Sequence, residues 1–281
     1  MGSHFTTPLL AVGIFAIAGC GGGGGGAGGT PFVTRNSTTI DSQTFAASVA
    51  RANLFRRSND GAMVLQITEG SMAGVSISCL DGQMQNCTVL GGANNTGTGG
   101  LTQHLQGEYA FVGNFRIDQR IDGENASAAQ LVHAGALDRH ATQPNLPRSD
   151  IPTSYQGQFR GSAGLIDGPY GLVGGDAVLE VNFAAGLLAA RFNGGFPDGG
   201  APISAAFNNV TINSQTGQYT STDATVMTFQ NADAGGNFDG AFYGPNGQEA
   251  AGIFNLGNET HGGMSGIFLA CQNTPTCLAQ D

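Results

Sequence analysis

The sequence predicts an all-β protein: a C-terminal eight-stranded antiparallel up-and-down β-barrel preceded by a smaller β-rich subdomain. Three observations carry this reading. Between residues 155 and 271, short apolar runs are separated by turns rich in Gly, Asn, Asp or Pro, the spacing of an antiparallel meander. Inside those runs apolar residues alternate with polar or small ones, as they do on a strand with one buried face. Charged residues make up only 11% of the chain and hydrophobic ones 40%, which leaves a real core under a weakly charged surface.

Taken in order, the chain begins with an apolar run over residues 8–18, too short for a transmembrane helix, which needs about 20 residues. It suits the apolar core of a secretory signal peptide spanning residues 1–19. No Lys or Arg precedes it, so the α-amine and His4 supply the only positive charge there. The end of the run, Ile17-Ala18-Gly19-Cys20, resembles the lipobox of bacterial lipoprotein signal peptides. That resemblance implies cleavage before Cys20, a diacylglycerol on its sulfur and a further acyl chain on its amine. Two or more chains anchor stably because each buried methylene contributes about 0.8 kcal/mol. The Gly-rich stretch that follows makes residues 20–38 a flexible tether, since glycine has the most backbone entropy to lose in a packed element. It is no phosphate loop, because no Gly-Lys-Ser/Thr follows. Gly21 stands where an Asp would signal inner-membrane retention, so the expected location is the outer membrane, with the lipid bilayer as partner of acylated Cys20.

Residues 39–140 form the smaller β-rich subdomain. Met63–Thr68, Gly74–Leu80, Cys87–Leu90 and Tyr109–Ile117 read as strands. Phe45–Phe55 suits a short amphipathic helix, Ala126–Ala136 fits helix or strand, and residues 91–100 (GGANNTGTGG) read as a loop. Pro144, Pro147 and Pro152 mark residues 141–154 as a linker.

In residues 155–281 the strand candidates are Tyr155–Ala163, Ala177–Phe183, Leu187–Phe192, Ile203–Ile212, Gln218–Thr228, Phe238–Tyr243, Ala250–Leu256 and Met264–Cys271. Eight strands close a barrel whose interior side chains just fill, and closure removes the sheet edges. Gly and Phe interleave on single faces: Phe238, Gly240 and Phe242, then Gly252 and Phe254, then Gly266 and Phe268. In a narrow barrel each glycine leaves room for a ring from the next strand. The candidates are shorter than the 9–11 residues of a membrane-spanning strand, which argues for a barrel outside the bilayer.

The stretch GNFDGAFYGPNGQEAAGIFNL (Gly236–Leu256) resembles the barrel signature of the transferrin-binding protein B family, Gly-x-Phe-x-Gly-x-Phe-(Phe/Tyr)-Gly-Pro, a turn, then Glu-x-x-Gly-x-Phe. The matching positions are Phe238, Gly240, Phe242, Tyr243, Gly244, Pro245, Glu249, Gly252 and Phe254. The resemblance covers residues 155–281, extends by position to a handle subdomain over 39–140, and leaves room for one lobe of a family built from two. It implies a surface lipoprotein binding a host or environmental protein or small solute, of the iron-carrier or haem class, with an outer-membrane transporter as a further partner. The motif residues are expected to determine the fold and to form no site.

Cys79, Cys87, Cys271 and Cys277 remain once Cys20 is assigned to lipid; they allow three pairings, and proximity favours Cys79–Cys87 and Cys271–Cys277. Their spacing does not suit a metal, and none is expected. No Gly-x-Ser-x-Gly and no His-Glu-x-x-His is present, so no catalytic residue is assigned and no enzyme is expected. His133 and His140 would lie two turns apart on a helix, a weak pointer to haem; otherwise no cofactor is indicated. A net charge of −10 argues against nucleic acid as a partner. The alternative function is a structural envelope lipoprotein whose barrel packs on a cell-surface partner.

Overall fold

Every regular element in the computed structural model is a strand; the residues it describes are 37–41, 47–50, 52–56, 60–67, 74–80, 86–90, 97–121, 124–125, 129–136, 144–148 and 150–272. The signal, residues 20–36 of the tether with Cys20, His140 and Cys277 lie outside them, while Ser37 and Thr38, read as the end of the tether, open the first strand.

The first sheet comprises β1 (Ser37–Asp41), β2 (Ala47–Ala50), β3 (Ala52–Arg56), β4 (Met63–Ile67), β5 (Ser76–Cys79), β6 (Cys87–Leu90), β7 (Gly97–Gln106), β8 (Ala110–Ile121), β9 (Glu124–Asn125) and β10 (Ala129–Ala136). Its order is β2-β1-β10-β8-β7-β6-β5-β4-β3, with β9 paired to β8, and it curls so that β3 approaches β10. Met63, Leu65, Val75, Ile77, Val89, Leu101, Phe111 and Phe115 fill the curl. A disulfide joins Cys79 to Cys87 where β5 meets β6.

Three expectations change here. The Phe45–Phe55 helix is absent: Ala47–Ala50 and Ala52–Arg56 are strands, paired to Ile40 and Ile67 at their ends. Pairing with neighbours in a sheet outweighs the weak helix preference of an Ala-rich segment. Gly97–Gly100, read as loop, opens β7, because it pairs with Cys87–Val89 on one side and Arg116–Gln119 on the other. His133 lies on β10, so its helical spacing to His140 does not apply.

The second sheet comprises β11 (Thr153–Leu165), β12 (Tyr170–Asn182), β13 (Leu187–Gly195), β14 (Pro202–Asn213), β15 (Gln218–Thr220), β16 (Val226–Phe229), β17 (Ala232–Tyr243), β18 (Glu249–Asn258) and β19 (Gly262–Gln272). Consecutive strands pair antiparallel, apart from β15 and β16, which do not pair with each other, and β11 pairs β19, so the barrel closes. β15 and β16 both bridge β14 to β17 and count as one strand, which gives eight. The strand expected at Gln218–Thr228 is therefore broken in its middle. There the Thr222 amide donates to Thr225 Oγ1 at 2.9 Å and the Thr225 amide to Thr222 O at 2.9 Å, a local turn that competes with the ladder.

The core is aromatic: Tyr155, Phe159, Phe192, Phe207, Tyr219, Phe229, Phe238, Phe254 and Phe268 are all essentially inaccessible. Phe192 and Phe254 stack at 4.5 Å and Phe207 and Phe238 lie 4.7 Å apart, separations at which ring pairs add to burial. The glycines between the rings are occupied space. A Cβ on Gly240 would lie 2.5 Å from the Tyr219 ring, and one on Gly252 or Gly266 would lie 2.9 Å from Phe268 or Phe254.

Several barrel strands are longer than expected, reaching 13 residues in β11 and β12, because they run on through glycines that looked like boundaries. Length therefore no longer distinguishes this barrel from a membrane-spanning one. Polarity does: the rings point inward and β11 turns Gln156, Gln158, Arg160 and Ser162 outward, the inverse of a barrel with an apolar exterior and a polar lumen.

Residues 144–148, read as linker, lie across the end of the barrel where β11 begins. The Asn145 amide donates to Pro245 O at 2.8 Å and Leu146 packs on the core.

Candidate functional site

The two ends of the barrel differ. The proximal end holds the turns at 183–186, 214–217 and 244–248; the distal end holds those at 166–169, 196–201, 230–231 and 259–261.

Along the outer wall from the proximal end, the first sheet docks. Leu105, Ala110 and Val112 pack on Tyr243, Ala251, Ile253, Ile267, Leu269 and Cys271 of the barrel. The contact is locked by Glu249, a buried carboxylate at the start of β18. Its Oε1 accepts from the Glu108 amide at 2.7 Å, and its Oε2 accepts from the amides of Tyr109 at 3.0 Å and Ala110 at 2.7 Å. Three consecutive backbone donors at the β7–β8 turn thus end on one side chain 139 to 141 residues away. Burial raises the Glu249 carboxyl above its ordinary value, and the three amides pull part of the way back. The turn comes this close because residue 107 is glycine: a Cβ there would lie 2.4 Å from the carboxylate oxygens.

Toward the distal end the same wall becomes a trough. Strand register aligns Gly235, Gly257, Gly263 and Gly164 in one row across β17, β18, β19 and β11, and the row ends on Tyr170 of β12. These glycines face outward, since their neighbours Leu256, Met264 and Ala163 belong to the barrel core. A row without side chains leaves the sheet backbone as a floor. Above it lies a cavity of about 620 Å³, whose other lining side chains include Ile166, Asn255, Glu259 and Ser265.

The walls are held by their own hydrogen bonds. Asn258 Oδ1 accepts from the amides of Thr260 at 3.2 Å and His261 at 2.7 Å, while its Nδ2 donates to Phe229 O at 3.3 Å. The Ile166 amide donates to His261 O at 3.2 Å, tying the β11–β12 hairpin to the β18–β19 hairpin. Gly262 permits this approach, with φ +94° and no room for a Cβ against Gly164 O.

In the lining Tyr170 is 62% exposed and Ile166 49% exposed, and Leu172, two residues further along β12, is also 49% exposed. Asn255 Nδ2 is buried in the lining with no hydrogen-bond partner among the described residues. Glu259 is the lining's one carboxylate, and the lining holds no Lys, Arg or His among the described residues.

Of the motif residues, Phe238, Phe242 and Phe254 enter the core, and Gly240 and Gly252 make space for rings. Gly244 turns the chain at φ +83°, followed by Pro245. Tyr243 and Glu249 face the first sheet. Cys271 is disulfide-bonded. His104 stacks on Phe111 at 5.7 Å, and burial, with Arg160 adding to it, lowers its pKa. The described residues contain no group of three metal-ligating side chains.

The trough was not anticipated. Its glycines look like turn punctuation in the sequence, and only the register, accumulated over four strand pairs, puts them in one row.

No protein-family model and no curated protein matches the sequence. Among solved structures, the chain is similar to a double mutant of the vaccine antigen Transferrin Binding Protein B from Haemophilus parasuis Hp5, at 15% identity and TM-score 0.47, covering 85% of this chain and 45% of that one. It is also similar to intact Ap-TbpB, with N and C lobes, at 18% identity and TM-score 0.45, covering 84% of this chain and 45% of that one. The chain thus spans less than half the length of either. Both carry the name of the family that Gly236–Leu256 resembles.

Proposed function

We propose that this chain is a lipid-anchored binding protein of the bacterial outer membrane, which holds a protein or small-solute ligand in the distal trough of its barrel. The observation that carries this reading is the trough itself, a 620 Å³ cavity with a backbone floor and exposed apolar side chains at Tyr170 and Ile166, with Leu172 two residues further along β12. Its volume falls in the range of about 300–1,000 Å³ usual for small-molecule sites. Strand glycines and exposed apolar side chains are both unfavourable in an isolated protein, and a ligand approaching the backbone accounts for both.

The Cys20 lipobox and the Gly-rich tether supply the anchor and the reach. The resemblance of Gly236–Leu256 to the transferrin-binding protein B signature makes iron carriers the first ligands to try, with haem next and an outer-membrane transporter as the receiving partner. Calorimetry on the purified chain with iron-carrier proteins, haem and serum proteins tests the capture; heat from none of them removes the iron-carrier and haem version. Cys20→Ser should abolish incorporation of labelled palmitate and release the chain from membranes, and retained label would remove the anchor.

A further inference from the structure

We propose that the distal trough is a saccharide site, taking a short, neutral oligosaccharide against the glycine row. This deepens the binding reading above and rests on it. Four features of the lining choose the ligand. The floor formed by Gly235, Gly257, Gly263 and Gly164 carries no side chains, so a ring can lie along the sheet backbone there. Tyr170, at the end of that row, is an aromatic side chain 62% exposed, of the kind on which the C–H side of a pyranose stacks. Asn255 lies in the lining beside that row, and its Nδ2 has no hydrogen-bond partner among the described residues. Ser265 and Glu259 add hydroxyl and carboxylate oxygens that accept from hydroxyl protons.

Charge narrows the class further. The lining holds a carboxylate and, among the described residues, no cation, so phosphate, sulfate and acidic sugars find no counter-charge. A ligand with many hydroxyls, one apolar face and no charge satisfies all of these groups at once. An extended peptide would bring its own backbone donors and acceptors to the floor, but it gains nothing from the tyrosine at the end of the row.

Two substitutions separate the site from the fold. Gly235 has an ordinary backbone conformation, and a Cβ built there meets nothing within 4 Å, so Gly235→Val fills the trough without disturbing the barrel. Tyr170→Ala removes the platform, and Tyr170→Phe restores it. The full-length chain and each variant are applied to an array of neutral glucose-, mannose-, galactose- and N-acetylhexosamine-based oligosaccharides. Sialylated and uronic-acid glycans, an arginine-rich peptide, haem and serum proteins are screened in parallel.

The expected result is binding to a subset of neutral glycans. Gly235→Val and Tyr170→Ala should each weaken it by about tenfold or more, equivalent to 1.4 kcal/mol or more. Tyr170→Phe should keep it, and no variant should melt below the parent. The saccharide assignment is overturned if no neutral glycan binds, if acidic glycans or the basic peptide bind in their place, or if both trough variants bind neutral glycans like the parent. A protein or haem ligand lost in Gly235→Val, with no glycan bound, would sink the saccharide and leave the trough as a binding site. Ligands of any kind that ignore Gly235→Val would sink both.

Discussion

Removing the Glu249 side chain should free the β7–β8 turn from the barrel while leaving the barrel closed. In Glu249→Ala the amides of Glu108, Tyr109 and Ala110 lose their acceptor, the last in a buried bond and the first two in part-buried ones. An orphaned buried donor costs about 1–3 kcal/mol. Three such donors together would cost about 3–9 kcal/mol; relief of the buried carboxylate and water reaching the part-buried Glu108 and Tyr109 amides offset much of that, which leaves a loss of about 2–4 kcal/mol in docking. Hydrogen exchange followed by mass spectrometry reads it locally: the 107–112 segment should exchange much faster, while the β11–β12 and β18–β19 amides keep their protection. Unchanged exchange at 108–110, or barrel amides that open together with them, would refute the clamp.

The same carboxyl carries a pH signature. Its folded pKa lies above the ordinary 4.5 because burial outweighs the three amides. Its contribution to stability is therefore fully present below the unfolded value and is lost as pH rises through the folded one. Glu249→Gln, which cannot ionise, should lack that decline; a parent-minus-Gln stability difference that is flat across the acid range would contradict the raised pKa.

Other outcomes follow from the packing. Gly240→Val should destabilise by about 1–3 kcal/mol, since its side chain must displace the Tyr219 ring, whereas Gly235→Val should be neutral or stabilise by up to about 1 kcal/mol; urea midpoints compare the two directly. Tyr219→Phe removes a 3.0 Å donation to Ala251 O inside the barrel and should cost about 1–2 kcal/mol by thermal unfolding. Cys79→Ser with Cys87→Ser opens a short loop and should cost about 2–3 kcal/mol in the chain-entropy model, measured against the parent under oxidising conditions.

The barrel was legible in the sequence because its signal is local. Phe238, Gly240 and Phe242 disclose strand, face and ring spacing within five residues, and Gly244-Pro245 discloses the turn. The first sheet was legible where alternation was strong, as at Met63–Ile67, and misread where alanine and glycine dominate, as at Ala47–Ala50 and Gly97–Gly100. Small side chains give little periodic contrast, so pairing partners far away in sequence decide those segments. Glu249 shows the same limit at one residue. Its motif position was readable, but its partners at 108–110 are set by how two sheets dock, which no spacing encodes.

That distinction bears on why the two kinds of glycine occur together. Gly240, Gly252 and Gly266 are required by the rings beside them, and any larger residue would strain the core. Gly235 answers to no such constraint, and a glycine within a strand costs about 0.5–1 kcal/mol relative to alanine. Packing explains the inward glycines completely and leaves that outward one unexplained. A surface selected for stability alone would replace Gly235 with a β-branched residue, and Tyr170 beside the same row with a polar one. Their occurrence together at one end of one wall, beside an Asn255 amide without a partner among the described residues, is the physical reason for assigning the ligand to the trough rather than to the barrel interior, which the rings already fill.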